Sequence, residues 1–323
     1  MKRVSIIAPN GDFSITNLDL TRQMFTWVNE NLPEPIFDIE ILGISKEIKS
    51  HNGLFTIKVD RLVSEVDKTD VVIIPATFGD PMKVVEENQT LIPWVLKQYD
   101  QGADLVSMCV GAFFLAGIGV LDGKKCSTHW GSGDDFRKLF PNIVLEDERI
   151  VSESDRIYTS GGALAFANLL IYLIERYVGR EVAIATAKAF MVDIDRKSQS
   201  PFMIFSGQKS HKDKEVLKAQ VYIETHFQEK ISVEGLCDSV GVGRRTFERR
   251  FKGCTSNTVL EYIQRVKIEA AKQELERGKK TVSEVMFEVG YNDTKSFREV
   301  FKKVTGMTPN AYKEKYTRFE MLA

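Results

Sequence analysis

Over roughly the first 180 residues, short apolar runs alternate with amphipathic segments. VSIIA (4–8), FDIEIL (37–42), VVIIPA (71–76), DLVSMC (104–109) and RIYTSGG (156–162) are rich in β-branched residues and bounded by turn formers. Near-continuous apolar strands separated by helical stretches belong to a sheet buried on both faces. The pattern predicts a three-layer α/β sandwich around a mostly parallel sheet. Ligands of such sheets sit beyond the carboxyl ends of the strands, which directs attention to the loops after Ala8, Pro75, Met108 and Thr159.

The last hundred or so residues change period and repeat themselves. ISVEGLCDSVGVGRRTFERRFKG aligns with TVSEVMFEVGYNDTKSFREVFKK at an offset of 49 to 50 residues, with Gly241 over Gly290, Phe247 over Phe297 and Phe251 over Phe301. Val233, Leu236, Cys237 and Val240 recur at helical spacing in the first copy, as do Val282, Val285, Met286 and Val289 in the second. Each glycine falls where a helix must end, since it takes the left-handed cap conformation without a Cβ penalty. A second helix then follows in each copy. Phe247 and Phe251 face inward, which leaves Arg244, Arg245, Glu248, Arg249 and Lys252 outside; Thr294, Lys295, Arg298 and Lys302 hold the same face in the second copy. A long helix from an N-cap at Ser256 or Asn257 to about Glu276, ended by Gly278, is expected to join the copies, with Tyr262, Ile263, Val266 and Ala270 inward.

A helix with an apolar stripe on one side and Arg or Lys on the other suits the major groove of double-stranded DNA, where cations meet phosphates and guanidinium groups read guanine edges. A merely solvated charged face is the plain alternative for one such helix; two aligned copies in helix-turn-helix context favour DNA. If the joining helix holds both units, their recognition helices can enter successive grooves about 34 Å apart. Charge follows the same division. From Asp213 onward there are 21 Lys and Arg against 17 Asp and Glu, although the whole chain has a net charge of −1.

At 323 residues the chain suits two domains. The boundaries read as a domain over 1–197, a linker over 198–212 that loses periodicity and gains Ser, Lys and Gly, a helical domain over 213–316 and a tail over 317–323. Its 43% hydrophobic and 28% charged residues are those of a globular protein able to build cores without metals or disulfides. Cys109, Cys126, Cys237 and Cys254 lack CxxC spacing, which argues against zinc and fits a reducing cytoplasm. No metal or cofactor is expected. The apolar run before Pro9 is too short for a signal peptide. The uncharged stretches 105–121 and 157–174 are broken by Gly and polar residues, as a buried strand turning into a helix would be, so no membrane partner is expected.

Chemistry concentrates at SMCVGAFFLAGIGVLDG, where Cys109 precedes Gly111 and an apolar helix. This layout presents a nucleophile on a sharp strand-to-helix turn, and His129 of THW stands as a candidate activating base. A small buried cysteine and a hydrogen-bonded histidine satisfy the same residues without catalysis.

Three sets of motifs carry resemblances. VSEVMFEVGYNDTKSFREVFKKVTGMTPNAYK, with Gly290-Tyr291, Ser296-Phe297, Phe301-Lys302 and Gly306-Met307-Thr308-Pro309, is similar to the C-terminal signature of the AraC/XylS regulators over about residues 213–316. Cys109-Val110-Gly111-Ala112, Gly119-Val120-Leu121-Asp122-Gly123 and Thr128-His129-Trp130 resemble the ThiJ/PfpI family of the class I glutamine amidotransferase-like superfamily over residues 1–180. With Arg196 and Gln199-Ser200-Pro201-Phe202, the whole resembles the GlxA-like regulators. These resemblances imply a flavodoxin-like sandwich joined to an all-α domain with two helix-turn-helix units. They also imply sequence-specific DNA binding, contact with RNA polymerase and a homodimer formed through the first domain.

Two departures from the enzymatic members bear on catalysis. Ile15 stands where they carry a glutamate, and Pro75-Ala76-Thr77-Phe78-Gly79 replaces the glycine pair whose amides form an oxyanion hole. The expected function is therefore a regulator and not an enzyme, with Cys109 and His129 vestigial. Asn10, Phe78, Cys109, Val110, His129 and Trp130 are expected to line a pocket for a small, nitrogenous or cationic effector. The competing readings are a cysteine-dependent hydrolase or amidotransferase with an appended DNA-binding domain, and a protein-interaction role for the helices.

Overall fold

The computed structural model describes residues 1–317. They divide into two compact units, Met1–Gln199 and a second beginning at Ser200.

The first unit contains strands β1 (Lys2–Ile7), β2 (Phe37–Gly43), β3 (Glu47–Ser50), β4 (Phe55–Lys58), β5 (Arg61–Leu62), β6 (Val71–Ile74), β7 (Asp104–Ser107), β8 (Lys125–Cys126), β9 (Val144–Leu145), β10 (Val151–Ser154) and β11 (Ile157–Ser160). Its helices are α1 (Ile15–Glu30), α2 (Pro81–Glu87), α3 (Ile92–Asp100), α4 (Ala112–Gly117), α5 (Gly133–Leu139), α6 (Ala165–Val178) and α7 (Arg180–Ala189). Seven strands form one sheet in the order β10-β11-β7-β6-β1-β2-β5, all pairs parallel except the β10–β11 edge. All five strands read from the sequence lie in this sheet.

Alternation along the strands supplies both faces with a core. Val4, Ile6, Val71, Ile73, Val106 and Tyr158 pack under α1, α6 and α7. Ile7, Val72, Ile74, Leu105 and Ile157 pack on the other face under α2 to α5. The chain leaves β1 for β2 on one side and returns to β6 on the other, so the sheet reverses its winding between β1 and β6, where α/β sheets place ligands. Both long uncharged stretches resolve as strand, turn and helix, and no helix among the described residues is long and apolar enough to cross a membrane.

The second unit is helical: α8 (Lys214–Thr225), α9 (Val233–Val240), α10 (Arg244–Thr255), α11 (Val259–Glu276), α12 (Val282–Glu288), α13 (Thr294–Thr305) and α14 (Pro309–Tyr316). It has two cores. Val216, Ala219, Ile223, Leu236, Cys237, Phe247, Phe251 and Tyr262 make the first; Ile268, Ala271, Leu275, Val285, Met286, Phe297, Phe301 and Tyr312 make the second. Helix α11 contributes to both, its first half closing one repeat and its second half opening the next. The N-cap of α11 is Thr258, which forms a capping box with Glu261. It lies beyond the expected Ser256 or Asn257, because Ser256 is taken in the left-handed conformation as the C-cap of α10 and Asn257 bonds back to Thr255.

The segment expected as linker is packed for much of its length. Lys272 Nζ donates to the Met203 carbonyl at 2.5 Å, the Phe205 ring lies against Tyr262, and Gln220 donates to the Gln208 carbonyl. Residues 318–323 of the expected tail lie outside the described residues.

Candidate nucleic-acid interface and effector cavity

In the helical unit, local sequence fixes each recognition helix in the same way. Phe247, Phe251 and Thr255 are buried at four-residue steps along α10, as are Phe297, Phe301 and Thr305 along α13. Each threonine hydroxyl bonds back to the phenylalanine carbonyl four residues earlier, at 2.8 Å in both copies. Asp293 caps α13 by accepting from the Ser296 amide at 2.7 Å. The turn before α13 depends on Gly290, which has φ 75°; a Cβ there would collide with the Gln228 carbonyl and lie 2.6 Å from Lys267 Nζ.

The outward faces hold the cations singled out in the sequence. Arg245, Arg249 and Lys252 on α10, and Lys295, Arg298 and Lys302 on α13, are exposed and make no ion pair among the described residues; Thr294 is exposed beside them. Arg244 differs, since it pairs with Glu248 at 3.1 Å and with Glu234. Arg250 is half-buried and held by both Asp213 oxygens and Glu215 at 2.6–2.7 Å. It fastens α10 to the start of α8, and its guanidinium holds the Asp213 carboxyl below the usual aspartate value. Sequence spacing left Arg250 off the outer face but gave no sign of the carboxylates on α8 that hold it.

In the first unit Cys109 occupies the turn after β7 with φ 53°, a left-handed conformation for a non-glycine residue. Its amide donates to Ser160 Oγ at 3.2 Å and its carbonyl accepts from Thr128 Oγ1 at 3.0 Å. Gly111 lets the turn approach the end of β6, because a Cβ would stand 2.5 Å from the Pro75 carbonyl oxygen. The thiol is buried, and burial pushes its pKa above the ordinary value against the opposing influence of the Val110 and Ala163 amides. His129 is not among the groups that tune it. The imidazole ring lies over Gly162, its Nδ1 accepts from the Gly131 amide at 2.9 Å, and burial lowers its pKa.

The surrounding donors and acids are committed elsewhere. Asp12, the carboxylate of the first loop, accepts from the His51 amide and holds the β3–β4 hairpin. Ile15 packs at the start of α1 on the core. Asn17 Oδ1 accepts from the Ala76 amide at 2.9 Å, the Asp12 carbonyl accepts from the Phe78 amide at 2.7 Å, and Pro75 has no amide hydrogen.

A cavity of about 480 Å³ lies at the loops after β6 and β7 against α5. Phe78 and Val110 line it together with Asp80, Phe113, Ser132, Asp135 and Lys138. Asn10, Cys109, His129 and Trp130 do not. Asn10 is tied to Asn88 and the Glu87 carbonyl, Cys109 is buried in its turn, and Trp130 lies beside the His129 ring at 5.3 Å between centroids. The expected lining therefore divides, and the polar groups of the cavity come from segments too far apart in sequence to signal one another. Asp80 had a local signature, an aspartate before Pro81 that caps α2 through the Met82 and Lys83 amides.

Comparison with known proteins accounts for both units. Residues 29–175 match the DJ-1/PfpI family, and residues 236–315 match a helix-turn-helix domain family. This chain joins a DJ-1/PfpI domain to an AraC-type helix-turn-helix domain. The DJ-1/PfpI domain and its helical partner both enter the match to the HTH-type transcriptional regulator GbdR of Pseudomonas aeruginosa, 26% identical over 268 residues, 82% of this chain and 71% of GbdR. The HTH-type transcriptional regulator GlxA of Rhizobium meliloti is 20% identical over 206 residues, 64% of this chain and 63% of GlxA. A crystal structure of an AraC family transcriptional regulator from Pseudomonas putida, 18% identical, superimposes with a TM-score of 0.51 over 59% of this chain and all of that one. The protein combining these domains is a DNA-binding transcription regulator.

Proposed function

We propose that the helical domain reads two adjacent DNA elements through α10 and α13, and that a small ligand in the DJ-1/PfpI domain sets its regulatory state. The duplicated cationic face carries the reading: six exposed Arg and Lys side chains, without an ion pair among the described residues, stand opposite two matching phenylalanine stripes. Such a face supplies phosphate contacts for affinity and guanidinium forks for base recognition. The regulator works in the cytoplasm as a homodimer paired through its first domain, and it acts on RNA polymerase.

The effector is a small nitrogenous or cationic compound. Asp80 and Asp135 outnumber Lys138, which pairs with Asp135 at 3.5 Å, so the lining of the 480 Å³ cavity keeps a negative balance beside the exposed Phe78 ring and favours positive charge. The domain carries no catalysis, since burial raises the thiol pKa, which disfavours the thiolate, and the amides of Ala76 and Phe78 are already engaged. Turnover lost on Cys109→Ser would reverse that reading.

Selection of bound duplexes from a random library by the full-length protein at near-physiological salt tests the whole. The expected result is a motif with two elements about one helical turn apart, lost when Arg245 and Arg298 are both reversed in charge. Failure to enrich any sequence, with the full chain and with residues 213–323, would overturn the assignment of α10 and α13. For the effector, calorimetric titration with tetramethylammonium and primary alkylamines should show binding that Asp135→Asn weakens; no binding by any of them removes the cationic assignment.

A further inference from the structure

A second cavity, of about 330 Å³, lies on the α6 face of the sheet, away from the one already described. Ile150, Ile171 and Ile194 give it an apolar floor. Arg149, Arg180, Arg196 and Lys197 bring four cations to the lining, against Glu175 as the single carboxylate. Glu175 is already paired with Arg180 at 2.7 Å. Arg149 stands 3.7 Å from Glu146, a carboxylate that Lys125 shares at 3.5 Å and that also accepts from Ser152. Lys197 is exposed and has no ion pair among the described residues. Among the described residues, Lys197 thus adds a cation to the lining that no carboxylate pairs, and Arg149 holds only the longest of the three contacts around Glu146.

Its geometry is held by backbone, not by the charges themselves. The segment 193–199 forms a strap along the cavity: at one end Asn168 Nδ2 donates to the Asp193 carbonyl at 2.6 Å. At the other, the Ile150 amide donates to the Lys197 carbonyl, Arg149 bridges Ser198, and the Gln199 amide donates to the Glu148 carbonyl at 2.7 Å. Arg149 and Lys197 are thereby set on adjacent bridged segments, with their side chains solvent-accessible and their backbones fixed. Like charges placed together at a fixed spacing repel unless an anion joins them. An apolar floor beneath cationic groups matches a molecule with an apolar body and an anionic end, and the volume falls near the lower end of the ~300–1,000 Å³ range of small-molecule pockets.

We propose that this cavity binds a small organic anion, a carboxylate or phosphate ester carried on an apolar body. The site is separate from the cationic-effector cavity and stands whether or not that cavity binds an amine. The strap that forms it ends at Gln199, the last residue of the first unit.

The test is calorimetric titration of the full-length protein with phenylacetate and phenyl phosphate, with inorganic phosphate as the bare-anion control. At least one aryl anion should bind saturably with one-to-one stoichiometry. Inorganic phosphate should bind at least about tenfold more weakly, because it leaves the apolar floor uncovered. The double variant Arg149→Gln/Lys197→Gln should weaken aryl-anion binding by about tenfold or more, and Ile194→Asp should do the same by a different route. The charge-matched variant Lys58→Gln/Lys68→Gln, at exposed positions on other segments, should leave it unchanged. The proposal is overturned if neither aryl anion binds, if inorganic phosphate binds equally well, or if the control variant weakens binding as much as the cavity variants.

Discussion

At Cys109 a left-handed backbone, which costs of the order of 1–3 kcal/mol in a non-glycine residue, is kept although the thiol is buried and that burial raises its pKa. The conformation is held by Ser160, Thr128 and the close approach of Gly111 to Pro75. Because burial raises the thiol pKa from an ordinary value near 9.0, alkylation by iodoacetamide should be slow at neutral pH and keep accelerating above that value. A plateau near neutrality would reveal an activated thiolate and contradict the non-catalytic reading. Gly290 meets a different constraint, a positive φ combined with contact against the Gln228 carbonyl. Gly290→Ala should destabilise the helical domain by about 2–4 kcal/mol, seen as an earlier urea midpoint in its unfolding. A loss below half a kilocalorie would mean that this turn rearranges freely.

At the level of elements, periodicity made most of the fold legible and left the packing partners obscure. The five sheet strands stood out as apolar runs because they are buried on both faces. The edge strand β10 and the two-residue β5 did not, since VSES alternates weakly and Arg61-Leu62 is too short to show a period. The helix-turn-helix repeat was readable from α9 to α10 and from α12 to α13, but it extends further. Val216, Ala219 and Ile223 in one core stand where Ile268, Ala271 and Leu275 stand in the other, at an offset of 52 instead of 49 or 50. Small loop-length differences hid that correspondence from a fixed-period alignment. The recognition-face cations were visible as an outer helical stripe, whereas the lining of the 480 Å³ cavity depends on three loops brought together only by the sheet.

The Arg250 anchor also belongs to this scale. Asp213 has its pKa lowered chiefly by the Arg250 hydrogen bonds, from an ordinary value near 3.8. Its contribution to stability is therefore complete above that value and is lost as pH falls through the lower, folded-state pKa. Arg250→Met should lower the melting temperature of the helical domain at neutral pH, and the gap to the parent protein should close as the medium is acidified through that range. A gap independent of pH would assign the loss to packing of the long side chain and not to the ion pair.

For the whole molecule, affinity and arrangement have separate sources. If Arg245, Arg249, Lys252, Lys295, Arg298 and Lys302 meet phosphates, DNA affinity should fall steeply with salt, and removing a phosphate-binding lysine should reduce the slope of log affinity against log salt by about one. Loss of affinity without a change in slope would place that lysine off the DNA backbone.

Helix α11 serves as the last wall of one repeat and the first of the next, so it works as a ruler between two readers. One residue inserted near Val266 would advance the second reader by about 1.5 Å and turn it by about 100° relative to the first, while leaving each reader's own side chains unchanged. The preferred bases within each element should then persist and the permitted spacing between them should shift or vanish. The distance grammar of the operator is thus written in the length of a helix that need not touch a base.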